Sequence, residues 1–226
     1  MNVFFEDLGN IGYEKAWEYQ RTCHEKLARA KTENLHSDDL NRFLFCEHPH
    51  VFTLGKSGQE SNLLINSDFL KSIDATFFRT DRGGDITYHG PGQIVGYPIM
   101  NLEQFKIGIK SYIHNLEECI IVSLKEYSIT AERMEHATGV WLDTAIKERS
   151  RKICAIGVRI SRSVTMHGFA LNVNTDLRYF DYIHPCGLAD KDVTSMQKEL
   201  GKKIEMEDVK KTVRKHFCRL FQVTEQ

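Results

Sequence analysis

The stretch from Thr138 to Asn174 constrains the fold more than any other part of the chain. There "TGVWLD", "KICAIGVRIS" and "VTMHGFALNVN" follow one another with tight connections. Their branched and aromatic composition predicts three consecutive strands in an antiparallel meander. Upstream, "NRFLFCE", "HVFTLG" and "ATFFRT" are short apolar runs bounded by turn formers, and they also read as strands. "QIVGYPIMNL" joins them, with Pro98 expected at an edge or a strand end because it has no N–H for a ladder.

Helical periodicity accounts for much of the rest. Ala16, Tyr19, Cys23 and Leu27 recur at steps of three and four, which predicts a helix from about Tyr13 to Lys31. Ile109, Ile113, Leu116, Ile120 and Leu124 form a second stripe, from about Lys106 to Tyr127. Val209, Val213, Phe217 and Leu220 mark a third amphipathic helix near the end of the chain. Strands and long helices without regular βαβ alternation predict the α+β class. No repeat, low-complexity segment or Gly/Pro-rich linker interrupts the 226 residues, 41% of them hydrophobic, so one domain spanning 1–226 is expected.

Charge and composition exclude several functions. The formal net charge of -1 gives no reason to expect nucleic acid or an anionic membrane as a partner. Glu6 and Asp7 fall where a secretory signal would have its apolar centre, and no window is long enough to span a membrane, so the protein is expected in the cytoplasm. Cys23, Cys46, Cys119, Cys154, Cys186 and Cys218 are scattered without CxxC pairs. In a reducing compartment they should be free thiols, most of them small apolar core residues.

Four short segments are candidates for chemistry. In "RGGDITYHGPG" (Arg82 to Gly92) the glycines permit positive φ and close ligand approach, while Arg82, Tyr88 and His89 supply polar heads. The same residues also suit a glycine-rich hairpin with solvated side chains. "LGKSG" resembles the end of a P-loop, but His50 stands where the motif requires a glycine. "CEHPH" sets Cys46, His48 and His50 at alternating positions, yet no second ligand pair stands at a recognisable spacing, so no metal is expected. "IHPCGL" puts Cys186 in a Pro-Gly turn. A thiol of ordinary pKa is only about 3% thiolate at pH 7, so a nucleophilic role there needs a cation or base nearby. The candidates are His184, His167, His89 and Lys152; Lys152 opens an apolar strand that can hold its ammonium at the core's edge, or it is simply a solvated strand end.

Taken together, "EHPHVFTLGKSG", "RGGDITYHGPGQIVGYPI", "RKICAIGVRIS", "MHGFALNVN" and "IHPCG" resemble the lipoate-protein octanoyltransferase family, in this order and over most of the chain. The resemblance implies a mixed, largely antiparallel sheet flanked by helices, the catalytic domain shared with biotin and lipoate ligases. It implies that Cys186 carries an acyl thioester and that Lys152 lowers its pKa and transfers protons. It further implies an acyl site formed by Arg82, Gly83, Gly84, Asp85, Ile86, Thr87, Tyr88 and His89, by Ala155, Ile156 and Gly157, and by Gly168, Phe169 and Ala170. The implied donor is octanoyl-acyl carrier protein. The implied acceptors are lipoyl domains of 2-oxoacid dehydrogenase E2 subunits and the glycine cleavage H protein, with no cofactor.

Three other readings compete. An ATP-dependent lipoate ligase on the same fold needs no nucleophilic cysteine, and a non-catalytic carrier-binding protein needs no thiolate-forming pair. Biotin transfer rests on fold analogy alone.

Overall fold

The computed structural model describes residues 1–33, 35, 37, 39–184 and 192–225. The chain starts with β1 (Asn2–Asn10) and α1 (Tyr13–Thr32). It continues through β2 (Arg42–Glu47), β3 (Val51–Leu54), α2 (Ser67–Ser72), β4 (Thr76–Arg79), β5 (Ile86–His89) and β6 (Gln93–Ile99). Next come α3 (Ile109–Glu126), β7 (Glu132–Met134), β8 (Ala137–Leu142), β9 (Arg151–Ser161) and β10 (Val164–Asn172). The last elements are β11 (Asp192–Val193), α4 (Met196–Leu200), α5 (Met206–Phe221) and β12 (Thr224–Glu225).

The expected meander is present: β8 pairs with β9 and β9 with β10, both antiparallel. The large sheet runs in the order β12-β1-β2-β6-β10-β9-β8-β7, with β11 added to β9, and a small sheet runs β4-β3-β5. Most pairings are antiparallel; β1 with β2, β1 with β12, β11 with β9 and β3 with β4 are parallel. The fold is therefore the mixed, largely antiparallel sheet with flanking helices. The opening strand β1 carries no clear sequence signal, because its partners β2 and β12 are distant in the chain.

Strand alternation sorts the large sheet into two faces. Phe43 and Phe45 of β2, Ile94 of β6 and Leu171 of β10 pack with α3 and α5. Leu44 and Cys46, Val95 and Tyr97, and Ala170 pack on the other face with Ala16, Leu27 and Ala28 of α1. Truncating the fully buried Phe43 to alanine is expected to cost about 3–5 kcal/mol by leaving a void between β2 and α5.

The helices depart from the sequence reading in detail. In α3 the buried stripe is Tyr112, Leu116, Cys119, Ile120 and Leu124, whereas Ile109, the first helical residue, is 57% exposed. In α5 the four-residue steps end on Phe221 and not on Leu220. Pro98 lies near the end of β6, a central strand opposite Phe43 of β2. The ladder to β10 reaches only Gly96, so the missing Pro98 N–H breaks no bond there. Among the described residues, no helix is long and apolar enough to cross a membrane.

Candidate active site

A cavity of about 710 Å³ lies between the large sheet and the small sheet. β9 contributes Ala155, Ile156 and Gly157 to its wall, and β10 contributes Gly168, Phe169 and Ala170. The glycine-rich segment contributes Arg82, Gly84, Asp85, Ile86, Thr87 and His89, while Tyr13 comes from α1 and Gln93, Val95 and Tyr97 from β6. All the acyl-site residues implied by the sequence therefore border one cavity, except Gly83 and Tyr88.

Those two exceptions have other work. The Gly83 N–H donates to Val158 O at 2.9 Å, pinning the loop to β9. The Gly83 carbonyl lies only 2.8 Å from where a Cβ on Gly157 would stand, so the approach of loop to strand requires glycine there. Tyr88 is fully buried on the far side of β5, where its hydroxyl shares a hydrogen bond of 2.7 Å with His50 Nδ1 and its ring stacks on Tyr179.

The "LGKSG" segment also serves the loop. The amides of Gly55, Lys56 and Ser57 donate to the carbonyls of Asp85, Arg82 and Gly84. Asp85 is held in turn by the Asn62 side-chain amide and the Ile86 N–H. Backbone donors that would cradle a phosphate in a P-loop are here spent on fixing the glycine-rich loop.

Arg82 closes one end of the cavity. Its guanidinium donates to Thr53 O at 2.6 Å, to Thr53 Oγ1 and to Gly83 O, all neutral oxygens. Burial lowers its pKa, opposed by nearby Tyr13, Tyr97 and Asp85. Around it stand Tyr13, His48, His89 and Tyr97, with ring centroids 5.3 Å apart for Tyr13 and His48 and 5.9 Å for His48 and His89. Gln93 spends its amide N–H groups on Tyr88 O and Asn172, so its oxygen accepts from His89 Nδ1 and leaves His89 Nε2 to accept from Thr53 Oγ1. Burial holds His89 well below the ordinary histidine range. It is a neutral wall residue with both nitrogens engaged.

His167 borders the same end, in β10, with a left-handed φ of 59°. Its N–H donates to Gln20 Oε1 and its Nε2 to Asp81, which also pairs with Arg159. Burial lowers its pKa, against Asp81. His48 donates from Nδ1 to Ile11 O and accepts at Nε2 from Tyr97; burial brings its pKa down to about 4. The three "CEHPH" side chains do not converge: Cys46 and His48 face this inner cluster, while His50 stacks on Tyr179 at 4.1 Å. No group of three potential metal ligands occurs among the described residues.

Lys152 stands at the other end. It is the second residue of β9, paired with Trp141 of β8 on one side and Val193 of β11 on the other, and its carbonyl accepts from Thr194 N at 2.9 Å. Its side chain is half-buried and borders the cavity, with Nζ 4.5 Å from the centroid of the Trp141 ring. Cys186 lies outside the described residues, and His184 and Asp192 on either side of that segment both border the cavity. Cys154, two residues beyond Lys152, is fully buried, and burial pushes its thiol pKa up. Burial likewise raises Cys46 and Cys119, so these three thiols remain protonated and inert.

The sequence reading missed Tyr13, Gln93, Tyr97, Trp141 and Asn172 as cavity residues. Tyr13 lies on a helix and the others within strands, where they look like ordinary core positions; only the packing of α1 and β8 against the cavity singles them out.

Residues 12–218 match the lipoyl protein ligase A/B catalytic domain. An octanoyltransferase of Bacteroides thetaiotaomicron is 54% identical over 226 residues, covering 100% of this chain and 98% of its own length. One from Flavobacterium psychrophilum is 53% identical, covering 98% and 97%. The chain belongs to the octanoyltransferases, within the lipoyl protein ligase A/B family. It is an acyltransferase. Family likeness extends to the fold: a bipartite lipoate protein ligase of Thermoplasma acidophilum, studied with its E2 lipoyl domain, superposes with a TM-score of 0.72 at 15% identity, covering 100% of this chain and 86% of that one. A lipoate-protein ligase A bound with ATP gives 0.69 at 14% identity, covering 100% and 87%.

Proposed function

We propose that this acyltransferase moves an octanoyl group from octanoyl-acyl carrier protein to a lysine of an apo lipoyl domain, through a thioester on Cys186, and that it does so in the cytoplasm. One observation carries the reading. His184 and Asp192, the described residues on either side of Cys186 in sequence, both border the cavity that Lys152 borders, and Val193 pairs with Lys152. In this reading Cys186 is the nucleophile and the Lys152 ammonium is the cation that such a thiol needs.

The chemistry balances without a nucleotide. Thiolate Cys186 attacks the donor's carbonyl carbon, a C–S bond forms, and the carrier's thiol departs with the proton of the Lys152 ammonium. The acceptor's amine then attacks the Cys186 thioester; Lys152, now neutral, takes the amine's proton, and the thiolate is regenerated as the amide forms. The acyl chain runs along Ala155 to Gly157 and Gly168 to Ala170 towards Arg82 and His89. The octanoyl group is the one named for the related enzymes, and a lipoyl domain is named with the Thermoplasma ligase.

The test is intact-mass spectrometry after incubation with octanoyl-acyl carrier protein, in wild type and Cys186→Ala. A hydroxylamine-labile gain of one octanoyl group, absent in the variant, is expected. Octanoyl reaching a lipoyl domain only with ATP and free acid, with no adduct, would replace this reading with a ligase.

A further inference from the structure

We propose that Trp141 is a positioning residue for Lys152, its indole face holding the ammonium at the cavity wall where the proton transfers occur. The inference rests on the catalytic role given to Lys152 above and identifies one group that holds that side chain. Four carbons separate the Lys152 ammonium from its backbone, and a stem of that length has many rotamers to choose among. Here Nζ lies 4.5 Å from the Trp141 ring centroid, well within the range where a cation is attracted to an aromatic face.

The ring itself is immobilised. Trp141 is 1% exposed, and its Nε1 donates to Ala137 O at 2.9 Å. The β8 ladder to β9 shifts register between Val140 and Trp141. Two residues earlier, Gly139 has φ of 125°, and its N–H donates to Glu117 Oε1 at 3.0 Å. Glu117 is buried on α3 and its other oxygen accepts from Arg133 Nε. A Cβ on Gly139 would meet Cys154 O at 2.6 Å and Lys152 Cε at 3.4 Å, so the irregular strand leaves the space in which the lysine stem lies.

An aromatic face favours the ammonium over the amine, whereas burial of the side chain works the other way. Among the described residues, other titratable groups on the elements around Lys152 and on the cavity rim are Cys154 on its own strand, Asp192 on β11, Glu117 on α3, and His136, Asp181 and His184. Glu117 is committed to Gly139 and Arg133, and burial keeps Cys154 protonated. With Lys152 as the proton donor proposed above, loss of its proton sets the basic limb of the rate of Cys186 acylation, and Trp141 shifts where that limb falls.

The chain has two tryptophans, so mono-, di- and trifluorotryptophan can be placed at position 141 alone in a Trp17→Phe background. Fluorine withdraws electron density from the ring face with little change of shape, which keeps the fold intact. The expected result is a stepwise shift of the basic limb to lower pH, about half to one unit across the series, with unchanged melting temperature. Trp141→Phe should fall within the series and Trp141→Leu beyond it. A basic limb that stays in place throughout the fluorinated series overturns the proposal. Lys152→Ala and Cys186→Ala separate the two levels of inference: if both still transfer octanoyl, the catalytic reading fails. If both are inactive and fluorination moves nothing, only the role of Trp141 fails.

Discussion

At the inner end of the cavity, His48, His89, Tyr13 and Tyr97 surround Arg82; at the outer end, Lys152 lies on Trp141. The ends are separated by five residue steps along β9, from Lys152 to Gly157, about 16 Å along a strand. Both are rich in ionisable groups, yet their surroundings have opposite consequences. Inside, it lowers both histidines and raises both tyrosines, and every one of these groups keeps its neutral form near pH 7. Outside, the half-buried lysine has an aromatic face that favours its charge. An ionisable side chain therefore need not be a proton carrier: at the inner end these groups are hydrogen-bonding structure, and at the outer end the amine is the group proposed to carry the chemistry.

The contrast is broken most severely at the outer end. Lys152→Ala should reduce octanoyl transfer by about 10²–10⁴-fold while the melting temperature stays near that of wild type, because the side chain is only half-buried and its backbone bonds to β8 and β11 remain. Single-turnover acylation followed by mass spectrometry measures this. If transfer in the variant matched wild type, the outer end would be structural as well.

The inner end should respond in stability. His48 is fully buried with its pKa lowered to about 4, below the 6.5 of an exposed histidine. Between those values the unfolded chain binds a proton that the folded protein refuses, so stability is lost as pH falls through this window. The loss from this one group is roughly 3 kcal/mol. Urea unfolding at pH 7 and pH 4.5 should show a smaller loss in His48→Gln than in wild type, and equal losses would assign the acid sensitivity to other groups.

Between the two ends, the glycine contact can be tested by bulk. Gly157→Val places side-chain atoms against the Gly83 carbonyl and the Arg82 side chain, where even a Cβ has 2.8 Å and 3.4 Å. The expected cost is about 1–3 kcal/mol in stability. The acyl donor should also bind more weakly, read as a raised KM, because the loop bordering the cavity must move off β9. An unchanged KM would mean that the loop's seat on β9 does not shape the acyl site.

Much of this was legible in the chain itself, for definable reasons. The meander from Thr138 to Asn174 and the stripes of α1, α3 and α5 are local patterns with the periods of strand and helix, and they survive tertiary packing with shifts of a residue or so. Local pattern makes Arg82 to His89 and Lys152 candidates only, with a solvated hairpin and a solvated strand end as equally available readings; the resemblance of the motifs taken together singles them out. β1 was not legible, since its partners are far away in sequence. Nor were Tyr97, which looks like any aromatic in a strand, and Trp141, whose significance lies in a face turned to a lysine on the neighbouring strand. Periodicity identifies which residues share a face, but not which charge a face will meet.

The smallest expected effect concerns Tyr88, where local sequence pattern and structure point in different directions. Tyr88 sits inside "RGGDITYH", between two residues that border the cavity, yet its ring is packed among Phe52, Tyr179 and Phe180 on the far side of β5. Tyr88→Phe removes only the hydroxyl that hydrogen-bonds with His50 Nδ1 and keeps the ring stack. His50 is partly exposed and can take water in its place, so the cost should be about 1 kcal/mol or less. KM for the acyl donor and the rate of Cys186 acylation should both equal those of wild type. A raised KM would show that Tyr88 senses the acyl chain through β5, and the boundary between cavity wall and aromatic support would then have to be drawn one layer further out.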